Sequence, residues 1–302
     1  MSCVGLYYHP AWPPGTPGVP LSELWAAETT SLAGTFFIPD QNFTIKLSND
    51  TNPSASGDLA VVEPGKVTTT LRAKVYDNNN QPVPNVNVKL EVTVEANSGG
   101  HQHNVNRPKG TVSPAEGSTG PGGLGHPFTF TAPAPAGDHK IKATCIGQEC
   151  TQEGPDKVWV GIRHLQSFQA DPSYVLIRPN SDQNHPTNHY VTVIVQEKIQ
   201  GLAQDYHEEF PSDPLLHLND ASLIRGGQFD LAANWSSQPR GHSTHLNGTD
   251  VDVRANEFYH NPNESIPSSN YVDFMRLAAS HGCNAQIHSG ATPNEHFHLY
   301  CR

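Results

Sequence analysis

Residues 66–96 read KVTTTLRAKVYDNNNQPVPNVNVKLEVTVEA. Two runs rich in β-branched residues, 66–76 and 86–96, flank the segment DNNNQPVPN at 77–85. Both runs alternate apolar with polar side chains, as a strand with one buried face does. The Asn, Asp and Pro residues between them carry turn chemistry. Outward from this stretch, TFFIPD (35–40), FTIKL (43–47), PFTFTA (127–132), HKIKATC (139–145) and KVWVGI (157–162) have the same character. NRPKG (106–110) and the long EGSTGPGGLG (116–125) punctuate them. Some seven short strands with such turns predict a β-sandwich over residues 35–162. Residues 1–34 open with Pro and Gly and predict a tail with little structure.

Past residue 162 the texture changes, and an α+β domain is expected over 163–302. SYVLIRP (173–179) and NHYVTVIVQEK (188–198) read as strand or mixed segments. SNYVDFMRLAASH (269–281) reads as a helix, with Tyr271, Phe274, Met275 and Ala278 at helical spacing. Ser269 or Asn270 suits its N-cap, and Gly282 sits where a glycine ends a helix. NAQIHS (284–289) and HFHLYC (296–301) read as two closing strands.

Glycine (25) and proline (26) are abundant and hydrophobic residues make up 35%, a mix that suits β-rich, loop-rich extracytoplasmic modules. A formal net charge of -11 argues against a nucleic-acid partner, since phosphate binding needs clustered Lys and Arg. No run approaches the roughly 18 apolar residues of a membrane span. The first twenty residues show no basic segment followed by a continuous apolar one, so no secretory signal is visible. Five cysteines are present. Cys145 with Cys150, and Cys283 with Cys301, are plausible pairs, which leaves Cys3 over; disulfides imply an oxidising compartment. The expected location is therefore secreted, periplasmic or on the cell surface.

Seventeen histidines are present, and those at ligand spacing matter most, because neutral imidazole is the commonest metal ligand. In GHSTHLNGTDVDVR (241–254), His245 and Asp252 are separated by a segment containing Gly248, which tolerates a tight turn. Asp250 and Asp252 are two apart and share a face in a strand, so one can bind metal while the other supports it. In NEHFHLYCR (294–302), His296 and His298 share a face in the same way. His245, Asp252 and His298 supply the three protein ligands typical of catalytic zinc. Glu295 and His296 remain for proton transfer and charge stabilisation, and His242 is either a supporting residue or a surface histidine. His101-Gln102-His103 is a weaker metal pair. It adjoins SGG, and a solvated loop is the favoured reading there.

Two resemblances follow. H-L-N-G-T-D-V-D (245–252) followed by H-F-H (296–298) resembles the zinc peptidases of the LAS type, which include penicillin-insensitive murein endopeptidases and D-Ala-D-Ala carboxypeptidases. It covers roughly 185–302. The resemblance implies one Zn2+ per chain on His245, Asp252 and His298, a metal-activated water as nucleophile, and peptide stems or cross-links of bacterial peptidoglycan as substrate. Carboxypeptidase members carry a Glu three residues before the last ligand, where Glu295 stands; the endopeptidase branch uses the first His of H-x-H, here His296. The identity of the base therefore stays open. The Arg that often follows the H-x-H pair in murein endopeptidases is absent. The expected function is a murein endopeptidase-like hydrolase. A D,D- or L,D-carboxypeptidase of the same family, and a catalytically silent zinc-containing surface module, are the alternatives. Residues 58–162 resemble the bacterial immunoglobulin-like repeats of invasin-type surface proteins, through NNNQPVPNVNV (78–88) and AGDHKIKATC (136–145). That likeness implies spacing or attachment.

Overall fold

Strand formation follows the alternation in the sequence. The computed structural model describes residues 42–302 apart from 50–56, 66, 178–183, 187, 229, 231–234, 236–243, 256–261 and 289–294. The expected tail at 1–34, Cys3, the strand expected at 35–40 and His242 lie outside the described residues.

The first half is built from β1 (Phe43–Asn49), β2 (Ala60–Val62), β3 (Thr68–Tyr76), β4 (Asn87–Val94), β5 (Thr111–Ser113), β6 (Glu116–Ser118), β7 (His126–Thr131), β8 (Gly137–Cys145), β9 (Cys150–Glu153) and β10 (Lys157–Val160). They form two sheets, ordered β5-β7-β3-β1-β9 and β2-β10-β8-β4-β6. The segment 77–85 thus carries the chain from one sheet to the other. Asp77 shapes it by accepting the backbone N–H groups of Asn79 and Gln81 at 2.9 and 2.8 Å. Leu71, Ala73 and Val75 of β3 and Val88, Leu90 and Val92 of β4 are buried in one core shared by the sheets. Each large aliphatic side chain in it contributes about 1.5–3 kcal/mol. A Cys145–Cys150 disulfide joins β8 to β9, and so one sheet to the other.

The second half contains β11 (Gln166–Ser167), β12 (Tyr174–Leu176), β13 (Tyr190–Val191), α1 (Val193–Glu209), β14 (Leu216–Leu218), β15 (Asp250–Arg254), α2 (Tyr271–Ser280), β16 (Cys283–His288) and β17 (His296–Cys301). One sheet runs β12-β14-β15-β17-β16. Val251, Val253, Phe297 and Leu299 of this sheet share a core with Val195, Ile199, Leu202 and Tyr206 of α1 and Phe274, Leu277 and Ala278 of α2. A Cys283–Cys301 disulfide joins the paired positions of β16 and β17.

The segment 188–198 differs from its strand-like reading. Only Tyr190–Val191 is strand, and a helix begins at Val193. The Thr192 hydroxyl accepts the Val195 N–H at 3.3 Å, which caps the helix. Burial of Val195, Ile199, Leu202 and Tyr206 on one face then overrides the strand preference of VTVIV. In α2 the glycine at 282 does end the helix, with φ +70°, but neither Ser269 nor Asn270 makes a side-chain cap.

From Gln41 onward the chain forms one compact unit. The sandwich meets the second half along a polar seam. Arg225 holds Asp138 through two hydrogen bonds of 2.6 and 3.2 Å. Backbone bonds run from Ile162 N–H to the Arg225 carbonyl and from Gln228 N–H to the Ala134 carbonyl, at 2.8 and 2.9 Å. Among the described residues no helix is long and apolar enough to cross a membrane. The two disulfides fit an extracellular protein.

Candidate metal centre

β15 and β17 are antiparallel neighbours, and their register sets Asp252 opposite His298 and Arg254 opposite His296. Alternation sends Val251, Val253, Phe297 and Leu299 into the core and brings Asp250, Asp252, His296 and His298 to the other face. His245 reaches that face from the loop before β15. The Ser222 hydroxyl donates to its carbonyl at 2.6 Å. Its Nδ1 lies 3.2 Å from the Asp250 carbonyl oxygen, a bond that directs the other ring nitrogen inward.

Gly248 makes this loop feasible. Its φ is +71°, and a Cβ there would stand 2.3 Å from Leu165 Cδ2 and 3.1 Å from Val191 Cα. Its carbonyl accepts the Thr192 N–H at 3.0 Å, which docks the loop onto the start of α1.

One donor atom from each of His245, Asp252 and His298 lies within 4.8 Å of the others, and all three residues are buried. His245 Nε2 is 3.2 Å from Asp252 Oδ2. His298 Nδ1 is 2.7 Å from Asp252 Oδ1, and its Nε2 is 3.5 Å from Asp250 Oδ1. Thr249 donates to Asp250 Oδ2 at 2.8 Å. His296 stands at the rim, half-buried, with Nε2 3.4 Å from Asp252 Oδ2. Glu295 accepts a hydrogen bond from the Tyr271 hydroxyl at 3.3 Å.

The electrostatics show a demand for positive charge. Burial would push the Asp252 carboxyl up, yet the imidazoles of His245, His298 and His296 outweigh it and hold the carboxyl far below its usual range. Burial would push His298 down, but hydrogen bonds to Asp250 and Asp252 outweigh it and raise His298 to about 9. Asp250 is lowered as well: burial opposes ionisation, and bonds from His298 and Thr249 prevail. Two carboxylates among buried imidazoles need a cation, either a proton or a metal ion in its place. Two His nitrogens and a carboxylate oxygen suit zinc with one position left open.

His288 is a neighbour the sequence did not single out. Its ring stacks on His298 with centroids 5.5 Å apart and lies 5.0 Å from that of His296. The register of β16 on β17 pairs His288 with His296, so reading 284–289 as a strand beside HFHLYC carried the signal. Burial and the charges of His296 and His298 lower its pKa. The pair at 101 and 103 departs from its solvated-loop reading: His101 is wholly buried, and the chain brings both rings against His185 and Trp235. Glycines 99 and 100, which suggested an open loop, instead let the backbone press against the sandwich and Leu223.

No family model matches the chain. No curated protein matches it. Among solved structures it is similar to the Escherichia coli adhesin FdeC, with a TM-score of 0.27 and 17% identity, covering 46% of this chain and 38% of that one. It is also similar to domains 5–6 of the S-layer protein SbsC, with a TM-score of 0.20 and 11% identity, covering 85% of each chain. Likenesses at these scores carry no weight on fold or role.

Proposed function

We propose that the chain is a zinc-dependent peptidase that hydrolyses peptide bonds of bacterial peptidoglycan. The observation that carries this reading is the buried convergence of His245, Asp252 and His298, with two half-buried proton-carrying groups, His296 and Glu295, just before His298 in sequence. Peptidoglycan as substrate comes from the resemblance of the two motifs to LAS-type peptidases.

A zinc ion held by His245, Asp252 and His298 would supply Lewis-acid chemistry and activate water. The chain's own residues do the rest. Asp250 orients both imidazoles, His245 through its backbone carbonyl and His298 through its carboxylate. His296, 3.4 Å from the Asp252 carboxylate, is placed to take a proton and return it to the leaving amine. Glu295, steadied by Tyr271, is the second such group. The buried setting of the three ligands strengthens each of these interactions. The sandwich, read as an immunoglobulin-like spacer, holds the centre against an insoluble polymer.

His245→Ala, Asp252→Ala and His298→Ala are each expected to lose zinc and hydrolysis together; full activity in any one refutes the ligand assignment. His296→Ala and Glu295→Gln, compared at equal zinc content, identify the base as the variant that keeps metal and loses turnover. Cross-linked against linear muropeptides separates endopeptidase from carboxypeptidase action.

A further inference from the structure

A second cluster of donors lies in the seam between the two halves. His101 and His103 belong to the loop after β4, in the sandwich. His185 and Asp230 belong to the second half. One donor atom from each of the four lies within 4.8 Å of the others. His103 Nε2 is 3.1 Å from His185 Nε2 and 2.9 Å from Asp230 Oδ1, and His185 Nε2 is 3.7 Å from the same oxygen. These three separations bracket roughly 3.4 Å, the edge of a tetrahedron whose metal–ligand bonds are about 2.0–2.1 Å long. Three of the vertices are therefore nearly in place, and His101 supplies the fourth.

His101 has zero exposure, and among the described residues neither of its ring nitrogens has a hydrogen-bond partner. A buried imidazole without partners is costly. A proton shared between His103 and His185 would satisfy that pair and leave His101 unsatisfied. A metal ion takes one donor atom from each of the four residues at once, and so gives one His101 nitrogen the partner it lacks among the described residues.

The surroundings are built to hold the loop. Gly99, at φ +71°, lies so close to the sandwich that a Cβ would stand 2.3 Å from the Ala136 carbonyl oxygen. Arg107 donates to the Ser98 and Ala136 carbonyls at 2.9 and 2.5 Å. Gln102 N–H, between the two ligands, donates to the carbonyl of Asn184, beside His185, at 2.7 Å. Trp235 closes over the rings, with its own ring centroid 5.3 Å from that of His101 and 5.9 Å from that of His103.

We propose that His101, His103, His185 and Asp230 form a second metal site, a closed structural one for a divalent transition-metal ion such as Zn2+, that fastens the sandwich to the second half. Three imidazoles and a carboxylate fill a tetrahedral shell and leave no position for substrate, so this ion does no chemistry. It raises stability by binding the docked arrangement alone. The site is independent of the peptidase reading and goes beyond the single ion which that reading requires.

The test is zinc content of the purified full chain. Wild type is expected to hold two zinc ions; His103→Ala and Asp230→Asn one each; the His245→Ala/His298→Ala double variant one. Zinc content unchanged by both His103→Ala and Asp230→Asn overturns the second site and leaves the first untouched. Zinc unchanged by the His245→Ala/His298→Ala change overturns the first alone. A probe on folded protein covers poor expression of the variants. Co2+ added to metal-free His245→Ala/His298→Ala protein is expected to quench tryptophan fluorescence, and Trp235→Phe in that background to remove the quench. Absence of a Trp235-dependent quench also overturns the proposal.

Discussion

Gly248→Ala tests whether the loop that delivers His245 is as tightly built as its contacts imply. Two penalties act in the same direction. A φ of +71° costs a residue with a β-carbon about 1–2 kcal/mol. The new methyl would meet Leu165 Cδ2 at 2.3 Å, Val191 Cα at 3.1 Å and Thr192 N at 3.2 Å. The last two are backbone and cannot swing aside, so overpacking adds about 1–3 kcal/mol. The sum is a loss of about 2–5 kcal/mol. Gly282→Ala is the control. Its φ is +70°, but the nearest neighbour is the end of the flexible Lys198 side chain at 3.0 Å, which bonds the Gly282 and Arg302 carbonyls at the surface, so the torsional cost of about 1–2 kcal/mol dominates. Urea unfolding with chelator present, followed by circular dichroism, gives both values. Gly248→Ala is expected to fall below Gly282→Ala in midpoint and to bind zinc more weakly once folded. Equal midpoints would refute the close packing of the loop on β13 and α1.

Two further outcomes are expected. Replacing Cys283 and Cys301 by Ser opens a loop of sequence separation 18 and should cost about 3 kcal/mol, against about 2 kcal/mol for Cys145 and Cys150, whose separation is 5; urea midpoints of the two double variants in the opposite order would contradict this. His139 is wholly buried beside Phe130, and its pKa falls to about 4, first through burial and then through Arg107, with the Gly137 carbonyl and Asp138 opposing. Between that value and roughly 6.5 the unfolded chain binds a proton that the folded chain refuses. His139 thus leaves stability intact above pH 6.5 and withdraws about 3 kcal/mol as the pH falls to about 4. The His139→Gln variant should lose less stability than wild type between pH 7 and pH 4.5, and identical losses would sink the assignment.

Much of this molecule was legible in its sequence. The alternation in 66–76 and 86–96 marked strands with one buried face, and Leu71, Val75, Val88 and Val92 occupy that face. The pairs Asp250/Asp252 and His296/His298 were legible because period two fixes a shared face once a segment is a strand. The length of α1 was not, because VTVIV carries strand propensity while the apolar face that makes it helical continues to Tyr206. The His101 cluster was hidden for a different reason. Its donors come from segments around 101, 185 and 230, and no spacing links them until the two halves dock. His288 lay between these cases: its place followed from strand pairing, which the sequence implied without giving the register.

Release of soluble fragments from purified peptidoglycan, measured for wild type and His298→Ala with and without chelator, decides whether the buried triad supports zinc-dependent hydrolysis. Zinc-dependent hydrolysis at this centre requires release by wild type, its loss on chelation, its return with added zinc, and none from His298→Ala. Release that survives chelation, or zinc-loaded wild type that releases nothing, would contradict it.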